Sequence, residues 1–267
     1  MRAALPQEMQ QHTYAIMDEV EGSHWWFVGR RAILESFLKG IVGRLESRLQ
    51  AASARTGPAK AGTPNLRILD VGCGTGANLE MLSQYGEAEG VDVSDDALEF
   101  CRRKGLKVQK GLAETLPYDN DSFDLTTALD VVEHLDDDVA GLKEMHRVTK
   151  RGGYSLVFVP AFMWLWGVQD DISNHRIRYT KSQIVERLQR AGYEIERATY
   201  ANFTFFAPIL GGRVFMKLTG IKPASENNIN ISALNGVFGK LFSAERFLLS
   251  KLNFPFGVSI IVVARKR

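Results

Sequence analysis

Two acidic residues bracket a glycine-rich turn in this chain. Asp70 stands near the head of Leu69-Asp70-Val71-Gly72-Cys73-Gly74-Thr75-Gly76, and Asp92 lies within Gly90-Val91-Asp92-Val93-Ser94. Glycine adopts backbone conformations that other residues resist, and it lets a ligand approach the main chain. A helix starting directly after such a turn aims its first amides at that ligand. A carboxylate at the end of the next strand can accept two hydrogen bonds from a ribose diol. The chemistry implied is the binding of a nucleotide-like molecule. The spacing departs from the G-x-G-x-x-G that seats a pyrophosphate in dinucleotide enzymes. Asp70 has a second reading, as an acceptor for the backbone amides of the turn itself.

Proton transfer would fall to histidine, of which there are five. His134 follows the apolar run at 123–129. His175 lies in Asp170-Asp171-Ile172-Ser173-Asn174-His175-Arg176-Ile177-Arg178-Tyr179-Thr180. Both are candidate general bases. His134 can equally support the ligand-binding loop, and His175 can equally anchor its own loop through Asp170 or Asp171. His12, His24 and His146 are less well placed, and no histidine spacing points to a metal site. Cys73 and Cys101 are too few for a disulfide framework or a cysteine metal site. They fit a reducing, cytoplasmic setting.

The elements that must position these groups follow from periodicity. Residues 1–49 read as a helical cap, with Ile33, Leu34, Phe37, Leu38, Ile41, Val42 and Leu45 at helical spacing. Residues 50–65 are small, polar and punctuated by Gly and Pro, which predicts a linker. From 66 the pattern alternates. Strands are expected at 66–71, 88–93, 108–111, 123–129 and 154–159, and helices at 78–85, 97–104 and 139–148, the last ending in the basic turn Lys150-Arg151-Gly152-Gly153. Such alternation implies βαβ units and a mostly parallel sheet. A helix at 181–191, a strand at 193–200 and a last strand at 258–264 complete the domain 66–267. The long apolar stretch 201–253 reads as a mostly helical insertion before the last strand.

Composition bounds the function. The 267 residues are 45% hydrophobic and 24% charged, with a net charge of +2. That balance supplies no basic stripe for nucleic acid. No stretch reaches the roughly 18 uninterrupted apolar residues of a membrane span, and residues 1–18 lack the continuous apolar core of a signal peptide. The apolar insertion leaves both a membrane-surface contact and a homodimer open.

With these residues in place, the chain resembles a known family. Asp70-Val71-Gly72-Cys73-Gly74-Thr75-Gly76 looks like the first motif of class I S-adenosylmethionine-dependent methyltransferases. Asp92 follows in order, then Gly111-Leu112-Ala113-Glu114-Thr115-Leu116-Pro117-Tyr118, Ser122-Phe123-Asp124-Leu125, and Asp130-Val131-Val132-Glu133-His134-Leu135. The matches cover about residues 66–160 and resemble the type 11 small-molecule branch. Upstream, His24-Trp25-Trp26-Phe27-Val28-Gly29-Arg30-Arg31 is similar to an N-terminal signature of bacterial relatives.

The resemblance implies an α/β fold, a Rossmann-like seven-stranded mostly parallel sheet with an antiparallel last strand. It implies S-adenosylmethionine as cofactor and S-adenosylhomocysteine as product. Trp26 and Arg30 would cover the methionine end. Asp70, Gly72, Cys73, Gly74, Gly76, Asp92, Val93, Ala113, Glu114, Asp130, Val131 and His134 would form the rest of the cofactor site. His175 and His134 would serve the acceptor chemically, with Trp164, Trp166, His175, Arg176, Tyr179, Phe205 and Phe206 lining its pocket. Aromatic residues on both segments suit an apolar, prenyl or aromatic small molecule, and Arg176, Arg178, Arg213 and Lys217 could recognise an anionic group on it. Three other readings stand beside this one. An NAD(P)-dependent oxidoreductase conflicts with the glycine spacing. An inactive binding module conflicts with the intact motifs. A nucleic-acid methyltransferase would carry Asn/Asp-Pro-Pro-Tyr/Phe where Asp130-Val131-Val132-Glu133 stands.

Overall fold

The computed structural model describes residues 11–56, 65–220 and 232–267. Helix α1 (Gln11–Val20) is followed after a short turn by α2 (Trp25–Thr56). The aromatic signature, from Trp25 on, thus opens α2, within the cap expected to be helical. The helix also runs into the stretch expected to be a linker. Gln50-Ala51-Ala52-Ser53-Ala54-Arg55-Thr56 favours helix through its alanines, and the first breakers are Gly57 and Pro58. Residues 57–64 of that linker lie outside the described residues.

The alternating part follows as β1 (Arg67–Val71), α3 (Ala77–Leu82), β2 (Glu87–Asp92), α4 (Asp95–Arg103), β3 (Val108–Lys110), β4 (Phe123–Leu129), α5 (Asp138–Val148) and β5 (Thr149–Pro160). Side chains start the helices as the sequence suggests. The Ser94 hydroxyl accepts from the Ala97 amide to cap α4, and Asp137 accepts from Ala140 to cap α5. Then come α6 (Val168–Ile172), α7 (Lys181–Arg190), β6 (Glu194–Ala201), α8 (Phe206–Thr219), α9 (Ser232–Leu249) and β7 (Ser259–Arg265).

The seven strands form one sheet in the order β3-β2-β1-β4-β5-β7-β6. β1, β2, β3, β4 and β5 pair in parallel, and β7 slots antiparallel between β5 and β6. All seven residues of β4 are buried, as expected of a strand covered on both faces. Strand order reverses between β1 and β4, and ligands of open α/β sheets bind in the crevice at such a point. β5 starts five residues earlier than its periodicity suggests. Phe123 pairs with Thr149 across a register irregularity, and Lys150 bonds Asp124 at 2.8 Å, drawing the basic turn into the sheet.

The insertion closes back on the N-terminal helix. Trp25 packs against Phe205, Phe238 and Phe242, with ring centroids 4.5, 6.2 and 6.0 Å apart. Gly29 lets α2 and α9 touch, because a Cβ there would overlap the Phe242 ring. Gly29→Ala should therefore lower stability by about 1–3 kcal/mol, an overpacking cost. A thermal melt beside wild type measures it, and an unchanged Tm would contradict this contact.

Candidate active site

A cavity of about 650 Å³ opens at the C-terminal ends of β1, β2 and β4. Its roof comes from α1, the first turns of α2 and the inner face of α8. Its far end is built from residues 169–178.

The turn after β1 explains the glycines individually. Gly72 has φ 69°, and a Cβ there would strike Val131 on the loop after β4. Gly74 has φ 53°, and a Cβ there would meet nothing within 4 Å, so the main chain is bare where it faces the cavity. Asp92 ties the turn to β2. Its Oδ2 accepts from the Gly74 amide at 2.9 Å and its Oδ1 from the Ser94 amide at 2.9 Å, which sets the carboxylate on the cavity wall.

Asp70 sits beneath this floor, fully buried. Its Oδ1 accepts from the Thr127 hydroxyl at 2.6 Å, while Oδ2 has no hydrogen-bond partner. Asp70 thus does not accept the amides of the turn as its second reading expected: those of Gly72 and Cys73 go to the Val91 carbonyl and that of Gly74 to Asp92. Burial pushes its carboxyl up to about 7, against the opposing Thr127 hydrogen bond and the charge of Arg30. A carboxyl raised on folding stabilises the fold fully below its unfolded pKa and loses that contribution as pH rises through the folded value. The ligand-free protein should therefore lose stability between about pH 4 and 7. Asp70→Asn should flatten that slope, by up to about 1.4 kcal/mol per pH unit. Melts across this range measure it, and parallel curves for the two proteins would refute the assignment.

Arg30 crosses from α2 into the same region. It pairs with Asp130 at 2.8 Å and donates to Asn78 Oδ1 at 3.1 Å. Its guanidinium lies 5.4 Å from the Trp26 ring centroid and 5.0 Å from that of Phe158. Asp130 has φ 62°, a left-handed backbone unusual for a residue with a side chain.

At the far end, buried ionisable groups converge. Asp170 accepts from His175 Nδ1 at 2.8 Å, from Arg178 Nε at 2.7 Å and from the Gly167 amide at 2.7 Å, with Arg213 Nη1 at 3.8 Å. Burial alone would raise its carboxyl, but the hydrogen bonds from His175 and Arg178 outweigh it and hold the group at about 2. His175 meets His134 edge-on, ring centroids 4.7 Å apart. Burial and the neighbouring His175 push His134 down to about 3. Glu133 is 0% exposed, and burial with the nearby charge of Asp130 pushes its carboxyl well above the usual range.

Of the residues expected around a cofactor, Trp26, Arg30, Gly72, Cys73, Gly74, Asp92, Val93, Ala113, Asp130, Val131 and His134 line this cavity. Asp70, buried behind the wall, and Gly76 do not. Gly76 lets α4 approach the turn, because a Cβ there would strike Leu106 and Cys101. Glu114 is also off the wall, its neighbour Ala113 taking that position.

Of the acceptor-side residues, His175 and Phe205 line the cavity, and the others do not. Phe205 and Phe206 are adjacent at the start of α8, so they point about 100° apart. Phe206 faces Phe162, Trp164 and Phe256 on the outside. Trp164 is half exposed and stacks on Phe162, and Trp166 Nε1 bonds Asp171 at 2.9 Å. Arg176 turns to Asp136 and the His134 carbonyl, and Tyr179 is buried with its hydroxyl 2.9 Å from Asp138. Arg178 and Arg213, singled out for anion recognition, do reach the wall, whereas Lys217 does not. The sequence assigns no role to Glu21 or Asn78 and none to Glu133 beyond its place in the motif 130–135, while Asp170 does hold His175, the anchoring role the sequence offered it or Asp171. Glu133 was visible only as an acid next to His134.

Comparison with known proteins bears on this arrangement. A family model described as a methyltransferase domain matches residues 69–157. A 2-methyl-6-phytyl-1,4-hydroquinone methyltransferase of Oryza sativa is 28% identical over 144 residues, 51% of this chain and 44% of the relative. A demethylmenaquinone methyltransferase of Chlorobaculum tepidum is 35% identical over 98 residues, 35% of this chain and 40% of the relative. The chain thus spans less than half the length of these curated relatives. Among solved structures, a SAM-dependent methyltransferase of Thermotoga maritima, described as a possible histamine N-methyltransferase, aligns with a TM-score of 0.55 at 20% identity, covering 95% of this chain and 97% of that one. That likeness concerns the fold.

Proposed function

We propose, proceeding from residues 69–157 as a class I S-adenosylmethionine-dependent methyltransferase domain, that the chain transfers a methyl group to a small, apolar, prenylated or aromatic acceptor. One observation carries this reading. A single cavity holds the cofactor-type turn at one end and the His175–Asp170 pair beside apolar α8 at the other.

The residues present fit S-adenosylmethionine. Asp70 Oδ2, buried without a partner, suits an ammonium group, and Arg30 suits a carboxylate, which guanidinium binds in bidentate fashion. Asp92 is set for a ribose diol, and Val93, Ala113 and Leu135 supply an apolar wall for a purine. S-adenosylmethionine, when bound, supplies a methyl group already activated on a sulfonium. The protein's own task is therefore alignment. Trp26 and α1 cover the cofactor end and exclude water. His175, with Nδ1 held by Asp170, turns Nε2 toward the acceptor end and positions the acceptor. Pro208, Ile209 and Met216 of α8 would receive its apolar part.

The acceptor class draws support from the printed activities of the two relatives, which concern a phytyl hydroquinone and a demethylmenaquinone. Among the described residues no helix is long and apolar enough to cross a membrane. Calorimetry with S-adenosylmethionine and with NADH, followed by methyl transfer to prenylated hydroquinones and to small polar amines, tests the reading. Binding of NADH alone, or transfer confined to the amines, would overturn it.

A further inference from the structure

We propose that Glu133, His134 and His175 form a binding site for a divalent transition-metal cation. It rests on the reading above and deepens it, because the cation would hold a hydroxyl oxygen of the acceptor.

Each of the three residues offers one donor atom, and these atoms lie within 4.8 Å of one another. Glu133 is 0% exposed, and neither of its carboxylate oxygens has a hydrogen-bond partner. Leaving a buried carboxylate unpaired is costly. The guanidiniums of Arg30 and Arg178 act on it at a distance, but Arg30 pairs with Asp130 and Arg178 with Asp170. The imidazole of His175 is beside Glu133, its Nε2 3.9 Å from Oε1. His134 Nδ1 is likewise buried and unpartnered. Two imidazoles and one carboxylate on one face, with positions left open, form a donor set characteristic of divalent transition metals.

The surroundings fit that use. A metal-ligating histidine usually gives its other ring nitrogen to a carboxylate, which fixes its tautomer and orientation. His175 does so, its Nδ1 lying 2.8 Å from Asp170 Oδ1. The segment carrying His175 is stitched to the turn carrying Glu133 and His134. The Arg176 amide donates to the Glu133 carbonyl at 2.8 Å, and the Arg176 guanidinium donates to the His134 carbonyl. At metal–ligand distances of about 2.1 Å, donor atoms stand about 3–3.4 Å apart, so closure needs a shift on the order of 1 Å. His134 and His175 both face the cavity, which leaves the open positions toward the acceptor end.

The test uses the full chain, stripped with a chelator and titrated with Zn²⁺ by calorimetry and with Co²⁺ by visible absorption. One equivalent should bind in the micromolar range or tighter, with the absorption bands of nitrogen- and oxygen-ligated Co²⁺. Glu133→Gln keeps the side-chain shape and should abolish those bands. Asp170→Asn should weaken Zn²⁺ by about 10–100-fold through loss of the imidazole's orientation. Melting curves identify any variant that fails to fold, and Glu133→Gln alone then carries the comparison. Absence of stoichiometric Zn²⁺ binding, or equal binding by wild type and Glu133→Gln, would overturn the proposal. If methyl transfer proceeds in chelator while Zn²⁺ does not bind, the cation site falls and the methyltransferase reading stands. If Zn²⁺ binds but neither S-adenosylmethionine nor S-adenosylhomocysteine does, the methyltransferase reading falls and the site stands.

Discussion

Replacing Asp92 with alanine is expected to weaken S-adenosylhomocysteine binding by about 100-fold or more. Hydrogen bonds to a charged group contribute about 1.5–3 kcal/mol each, and a ribose diol would make two. Their joint loss is about 3–6 kcal/mol, and each 1.4 kcal/mol is a factor of ten. A second effect acts in the same direction. Asp92 also accepts from the Gly74 and Ser94 amides, so the alanine variant releases the turn that faces the ligand. Asp92→Asn keeps one acceptor oxygen and should fall between the two. Calorimetry measures all three proteins. Unchanged affinity in the alanine variant would remove Asp92 from the cofactor site, and with it the orientation proposed for the whole ligand.

The other large effect is expected at the opposite end of the cavity. His175→Ala should lower turnover by about 100–1,000-fold, within the range for a lost proton-transfer or positioning group. S-adenosylhomocysteine affinity should stay within a few fold, because the proposed cofactor contacts lie at the other end. Asp170→Asn should fail differently. Asp170 is 0% exposed and pairs with Arg178, with Arg213 close by, so its loss removes the buried carboxylate that compensates them. Breaking a buried pair this way costs about 3–5 kcal/mol. The two variants separate function from scaffold: lost turnover with a melt lowered only by one hydrogen bond, about 1–3 kcal/mol, for His175→Ala, and the more depressed melt for Asp170→Asn. Undiminished turnover in His175→Ala would take this histidine out of the acceptor chemistry.

The parts of the site that were legible in the sequence share a property. Gly72, Gly74 and Asp92 act through backbone conformation and short-range hydrogen bonds, which residue type and spacing report directly. The strands β1, β2, β4 and β7 were legible for a similar reason, since buried strands bounded by glycine and charge leave unbroken apolar runs. The early start of β5 was not, because Thr149-Lys150-Arg151 carries no strand periodicity and joins the sheet through its partners Phe123 and Asp124. Aromatic residues misled most. Phe206 is next to the wall residue Phe205, yet it faces Phe162, Trp164 and Phe256, because one step along a helix turns the side chain by about 100°. Trp164 and Trp166 belong to the segment 161–168, which contributes no residue to the cavity wall.

By itself, the sequence determined the class of fold, the location of the glycine-rich turn and Asp92, the carboxylate that ties it to β2. These depend on local propensity and on a hydrophobic pattern that any compact form of the chain must satisfy. Only the tertiary structure decided what stands opposite that turn. It folded α2 and α8 over the same cavity, turned Arg178 inward and Arg176 outward, and placed Glu133 against His175 across two separate loops. The energies that select these contacts are the desolvation of buried charges and the packing of one element against another. Both depend on neighbours distant in the chain, and no spacing along it records them.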